Sequence, residues 1–373
     1  MVLIVTRGSK KGIGARFTYS LHLVALNWDK SLNVKYDIHI LGGTRDKAVG
    51  RLSEKVLFFG DLGIDDIFAL FYAYYSENIE VVGVVADYGN VSKDEAVKNA
   101  RYLQKIFKMD VPVMGGARIP LTGKEPEYYP EIHGLEGLGP LSIADEPNST
   151  FENFFEVAPL IDKYAGNLTL INVGRLTSLA SAFVFFPETM KKIKDFYIMG
   201  GAFNYPGNVT PVAEANFHGD PLAANIVLSR APRKVRILPL NVTQNSIITP
   251  YVMNYVISEM NSGKMEPAKI LKPMYDFYFN AYKKQIPSIQ GTPLHDLMTM
   301  WAIKDKQSII FADAPVKVIT EEGDAFGQSI ADFRKIREKA LYPVHKIAVR
   351  ADYACFVNSF AETFIKGSNR SAK

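Results

Sequence analysis

From Val56 onward the chain alternates short apolar runs with stretches of helical period, and this alternation limits most strongly what it can fold into. The runs are residues 79–86, 168–173, 196–199 and 235–240, and the helical stretches include 94–107, 176–186 and 221–228. Strand followed by helix at short intervals means βαβ units. The expected fold is therefore α/β, a Rossmann-like, mostly parallel sheet with helices on both faces. Residues 1–50 read differently. Phe17, Tyr19, Leu21 and Leu23 alternate with polar neighbours, 33–40 alternates too, and 27–31 is a plausible turn. An N-terminal β-hairpin extension is expected over 1–50, ahead of one α/β domain over 51–373.

Sheets of this kind take ligands outside the carboxyl ends of their strands, where this sequence places polar and Gly-rich clusters. The first holds Asp61, Asp65 and Asp66 around Gly63, directly after an apolar run and directly before a helical pattern. Adjacent carboxylates repel unless a cation or several donors sit among them. Asp is also a favoured helix cap, which is the plainer reading of the same residues. Asn90 after Gly89, Val173 before Gly174, and the loop from Met199 through Asn208, Glu214 and Asn216 mark further strand ends. Amides and carboxylates together both donate and accept, as a sugar diol requires, although such a loop can equally bond to its own backbone. The stretch 114–148, with His133 among glycines, reads as a long loop over the crevice. His295 and Asp296 open a helix, and Tyr278 and Tyr282, one turn apart, form either a packed face or a stacking surface.

Bulk properties remove several function classes. In 373 residues, 47% are hydrophobic and 22% charged, ordinary values for a globular chain. A net charge of +4 is too small to argue for nucleic acid. No apolar stretch approaches a membrane span, and Cys355 is the one cysteine, so a reducing, cytoplasmic setting is expected.

Taken together in order, these residues resemble the nucleoside hydrolase family, which cleaves ribonucleosides into ribose and free base. Four segments carry the likeness: Asp61 to Asp66, the Asn172 to Ala180 loop, Met199 through Asn216, and Pro293 to Asp296. The resemblance runs from about Val56 to the C-terminal region. It implies a calcium ion held by Asp61, Asp66, Asp296 and the backbone carbonyl of Val173. Asp65, Asn208, Glu214 and Asn216 would grip the ribose hydroxyls, Asn90 and Met199 would line the pocket, and His133 would approach the base. His295 would protonate or hydrogen-bond the departing base, a role suited to a pKa in the neutral range. Asp61 would draw a proton from calcium-bound water as it attacks the anomeric carbon. The family also implies homo-oligomers, dimers or tetramers, and a small-molecule nucleoside substrate.

Three positions depart from the family pattern: Phe59 and Asn241 stand where an Asp is common, and Ala215 where an aromatic residue is. The first two keep open a non-catalytic nucleoside binder. A metal-dependent phosphohydrolase ranks lower, because Arg175 is the single basic residue in the strand-end clusters.

Overall fold

The structure, a computed structural model, describes residues 2–7, 19–24, 53–143, 153–260, 266–334 and 342–371. Contacts divide the chain into two compact units, Met1–Arg51 and Leu52–Lys373. In the first, strand Val2–Arg7 pairs antiparallel with Tyr19–Val24, Val2 facing Val24 and Arg7 facing Tyr19. The expected turn at 27–31 and the alternating segment 33–40 lie outside the described residues.

The second unit is built on a nine-stranded sheet. Its order is Ser329–Ala331, Ile309–Val318, Val344–Ala351, Arg236–Leu238, Asp195–Met199, Leu168–Asn172, Glu54–Gly60, Ile79–Ala86, Val113–Gly115. Strands from Val344–Ala351 to Val113–Gly115 run parallel; Ile309–Val318 pairs antiparallel with both its neighbours. Alternate side chains of Glu54–Gly60 serve opposite cores, as strand geometry requires. Val56 and Phe58 pack with helices Ile64–Tyr75, His295–Lys304 and Tyr353–Ser371, whereas Leu57 and Phe59 pack with Thr177–Phe185 and Pro221–Arg230. Phe59 is thus a fully buried core residue facing away from the helix that carries Asp65 and Asp66. Helix Ile64–Tyr75 is apolar nearly all round because it lies between the sheet and two other helices.

Three expectations change. The stretch expected to be loop from 114 begins inside strand Val113–Gly115 and contains a short helix, Pro130–His133; its last residues, 144–148, lie outside the described set. The aromatic-rich stretch 251–284, whose sequence reads as one helical segment, forms two helices, Pro250–Glu259 and Glu266–Gln285. The antiparallel strands Ile309–Val318 and Ser329–Ala331 follow no βαβ signal and were not expected. Among the described residues, no helix is long and apolar enough to cross a membrane.

Candidate active site

The site begins where strand Glu54–Gly60 ends. Leu62 turns the chain with φ +53°, a left-handed conformation unfavourable to a branched side chain, and it is fully buried. Asn99 Nδ2 donates to the Leu62 carbonyl at 3.1 Å and braces the turn. Asp65 and Asp66 fall in the first turn of Ile64–Tyr75, where Gly63 N donates to Asp66 Oδ2 at 3.1 Å. The capping reading is therefore realised, but it uses one oxygen only. Asp65 Oδ1 and Asp66 Oδ1 are buried with no hydrogen-bond partner.

Asp296 enters from the first turn of His295–Lys304, which packs on Ile64–Tyr75. One carboxylate oxygen from each of Asp65, Asp66 and Asp296 lies within 4.8 Å of the others, and all three residues are buried. The resemblance gave Asp61 rather than Asp65 to this group. Burial first, and neighbouring carboxylates second, hold Asp66 and Asp296 well above the usual carboxylate range and push Asp65 up to about 7. A divalent cation reverses this logic, because it favours the charged form of every carboxylate around it. The orphaned oxygens and the all-oxygen donor set fit a hard cation.

Asp61 lies beside this group, 1% exposed, with Oδ2 accepting from Asn90 N. The approach is so close that a Cβ on Gly89 would stand 2.2 Å from Asp61 Oδ2. The Val173 carbonyl at the end of Leu168–Asn172 accepts from Asn216 Nδ2 at 2.8 Å.

Above the carboxylates opens a cleft of about 270 Å³. It brings together Asp65, Asn90, His133, Val173, Met199, Asn208, Glu214, Asn216, Tyr278, Tyr282, His295 and Asp296; Asp61 and Asp66 do not line it. On one side, Glu214 accepts from Asn216 N, Gly201 N and Phe217 N at 2.8, 2.8 and 3.1 Å, and Asn208 Oδ1 accepts from Ala215 N at 3.0 Å. The loop bonds to its own backbone and also faces the cleft. Asn216 Nδ2 also donates to the Met199 carbonyl at 3.2 Å.

The opposite side is aromatic. Tyr278 and Tyr282 meet edge to face with centroids 5.0 Å apart, and His133 lies 5.3 Å from Tyr278. His133 Nδ1 accepts from Ile64 N at 3.1 Å, and burial pushes the ring down to about 4, so it is neutral and presents Nε2–H. His295 differs from expectation: burial pushes it down to about 3, not into the neutral range. The deciding difference is that the ring is enclosed, which spacing along a chain does not report.

Sequence reasoning passed over Glu127, Tyr129, Glu131, Ile132 and Gln285, which also line the cleft. Thr243, whose hydroxyl lies 2.9 Å from His295 Nδ1, was missed too. No local pattern marks them. No lysine or arginine among the described residues lines the cleft, so it lacks the cations a phosphoryl group requires.

The departure at Asn241 is explained by its contacts. Its Oδ1 accepts from Phe203 N at 2.9 Å and its Nδ2 donates to Phe203 O at 2.6 Å, a pairing that a carboxylate cannot make.

The family described as inosine-uridine preferring nucleoside hydrolase matches residues 56–358. The chain belongs to this family. Nucleoside hydrolases are N-ribohydrolases and depend on a metal, and the acidic cluster described above is present here. Uridine nucleosidase 1 of Arabidopsis thaliana is 31% identical over 296 residues, covering 78% of this chain and 85% of its own. The inosine-uridine preferring nucleoside hydrolase of Leishmania major is 28% identical over 310 residues, covering 82% and 95%. Among solved structures, the purine-preferring ribonucleoside hydrolase from Gardnerella vaginalis is similar with a TM-score of 0.76 at 28% identity, covering 85% of this chain and 99% of that one.

Proposed function

We infer that this nucleoside hydrolase uses calcium and direct attack by water to split the bond between the ribose anomeric carbon and a ring nitrogen of the base. Uridine and inosine, named among its relatives, are the substrates to test first. One observation carries the reading. Carboxylates from two helices meet beneath a cleft that has amides and Glu214 on one side and Tyr278, Tyr282 and His295 on the other.

Asp61, Asp66, Asp296 and the Val173 carbonyl would hold the ion. Calcium suits all-oxygen donors in a flexible shell of about 6–8 ligands, whereas magnesium demands a tighter octahedron. When bound, the ion would supply Lewis-acid chemistry, lowering the pKa of a water near the sugar.

Asp61, kept in one rotamer by Asn90 N, would take the proton of the attacking water. Asp65, Asn208, Glu214 and Asn216 would take the sugar hydroxyls and so fix the anomeric carbon. The surrounding carboxylates favour the positive charge that develops on the sugar as the bond stretches. At the far end Tyr282 and His295 would supply the hydrogen bond or proton the leaving base requires.

Release of base and reducing sugar from uridine and inosine, measured with calcium and after chelation, tests this reading; no release from either with calcium present would sink it. Asp61→Asn or Asp66→Ala with unchanged turnover would remove that residue from the mechanism. Dimer or tetramer formation rests on family likeness and is read by light scattering. The cytoplasmic setting rests on the lone cysteine, Cys355.

A further inference from the structure

Arg175 is the basic residue that the chemistry above leaves without a role. It follows Gly174 just past strand Leu168–Asn172 and is only 3% exposed. Burying a guanidinium costs several kcal/mol unless it is well bonded. Yet its hydrogen bond is to an amide: Nη1 donates to Asn216 Oδ1 at 2.9 Å. Asn216 Nδ2 faces the carbonyls of Val173 and Met199 at 2.8 and 3.2 Å. A guanidinium only donates and a carbonyl only accepts, so the amide has a single satisfactory orientation.

A second observation concerns the path of the same side chain. A Cβ on Gly219 would stand 2.2 Å from Arg175 Nε and 2.3 Å from its Cδ. Helix Ala215–Gly219 thus carries Asn216 near its start, and its last residue is the one position whose lack of a side chain lets the arginine pass. The charge of Arg175 also favours the ionised form of Glu214, against the burial that raises its pKa.

We propose that Arg175 is a positioning residue for ribose recognition: threaded past Gly219, it locks the Asn216 amide so that one Oδ1 lone pair stays directed for a sugar hydroxyl. The inference rests on the assignment of Asn216 to the sugar. Arg175 acts through Asn216 and touches no substrate atom. A chain with a small or apolar residue at 175 would leave the amide held on its Nδ2 side alone, by the Val173 and Met199 carbonyls, with no donor to hold Oδ1 in its direction.

The test uses the full-length, calcium-loaded protein and two readouts, uridine kinetics and equilibrium binding of free ribose by calorimetry. Arg175→Met keeps much of the side chain's length and cannot donate. It is expected to weaken ribose binding and raise KM by the same factor, about 10-fold or more, with a smaller change in kcat. Arg175→Lys and Arg175→Gln, which can donate, are expected to recover part of the loss. Gly219→Ala should reproduce the loss by displacing the arginine, yet add nothing in an Arg175→Ala background. Ribose binding and KM within twofold of wild type in Arg175→Met, equal behaviour of the Met and Gln variants, or additive effects of Gly219→Ala and Arg175→Ala would each overturn the proposal. Should Arg175→Met not fold, the Lys, Gln and Gly219→Ala variants decide the matter by the same criteria. A wild-type protein that binds ribose and releases no base defeats the hydrolase reading alone; one that neither binds ribose nor releases base defeats both.

Discussion

The phenol oxygen of Tyr282 lies 3.0 Å from His295 Nε2, and the other ring nitrogen, Nδ1, lies 2.9 Å from the Thr243 hydroxyl. Thr243 donates its one proton to the Pro239 carbonyl at 3.3 Å, so it accepts from Nδ1–H. That fixes the tautomer: Nε2 is bare and accepts from Tyr282. The proton between the two side chains is thus carried by the phenol rather than by the imidazole, and under the proposed function Tyr282 gives up its bond to Nε2 when it turns that proton toward a departing base.

Tyr282→Phe is expected to lower kcat on inosine by about 100-fold, the usual contribution of one acid group. On p-nitrophenyl riboside, whose leaving group needs no proton, the loss should be small. Parallel losses on both substrates would show that Tyr282 shapes the pocket and supplies no proton. His295→Ala should follow the same split, since it orients the phenol.

Gly89→Ala should imitate Asp61→Asn. An added methyl cannot coexist with Asp61 Oδ2 at 2.2 Å, so either the carboxylate or the loop bearing Asn90 must move. A displacement of about 1 Å at a reacting group can cost on the order of 100-fold. The measurement is kcat on uridine together with a melting curve; an active Gly89→Ala enzyme would mean that Asp61 tolerates the shift and is not the base.

Much of this was legible in the chain because the parallel strands and their following helices are local patterns. Ile79–Ala86 is apolar apart from the exposed Glu80 near its start, as a strand buried on both faces from Val81 onward requires, and Asp220 before Pro221 announces the helix it caps, accepting from Ala223 N at 3.0 Å. The antiparallel strand Ile309–Val318 escaped notice because its burial is irregular and its pairing with Val344–Ala351 shifts at Ile310. At the site, side chains on strand ends announced themselves by type. Thr243 and Arg175 did not, since a hydroxyl's partner 52 residues away and an arginine's path past a glycine are properties of packing.

Restoring the residue common in the family at position 241 should be harmful. Asn241→Asp loses the donor to Phe203 O and sets a carboxylate against that carbonyl. A buried acceptor left without its donor costs about 1–3 kcal/mol. Urea unfolding is the measurement, with catalysis per folded molecule little changed. A variant as stable as wild type would show that the Phe203 pairing is dispensable.

Removing the metal should cost stability as well as activity, because Asp65, Asp66 and Asp296 then confront one another without a countercharge. Wild type is expected to melt lower in chelator and to recover with added calcium, by an amount that grows with its concentration. Asp296→Asn should invert the pattern: inactive, insensitive to calcium, and in chelator more stable than wild type by about 1–2 kcal/mol, since the cost of burying a third acid against its ordinary pKa is gone. Equal chelator sensitivity in the variant and wild type would place the ion elsewhere.

A separate histidine supplies a test of acid stability remote from the cleft. His345 is 2% exposed; its Nδ1 accepts from Val235 N at 3.1 Å and its Nε2 donates to Leu228 O at 2.9 Å. Protonating Nδ1 would set N–H against N–H, and burial, the leading cause, holds the folded pKa below the ordinary value of 6.5. The unfolded chain therefore binds the proton more readily. His345 thus contributes stability that is complete above the unfolded value and is lost as pH falls from there through the lowered folded one. His133 and His295 are also lowered by burial and act in the same direction, so a single pH curve does not separate the three. The difference between wild type and His345→Gln does. As pH falls below about 6.5, wild type should lose stability more steeply than the variant, by at most roughly 1.4 kcal/mol per pH unit. Superimposable slopes for the two proteins would mean that His345 accommodates its proton in the fold.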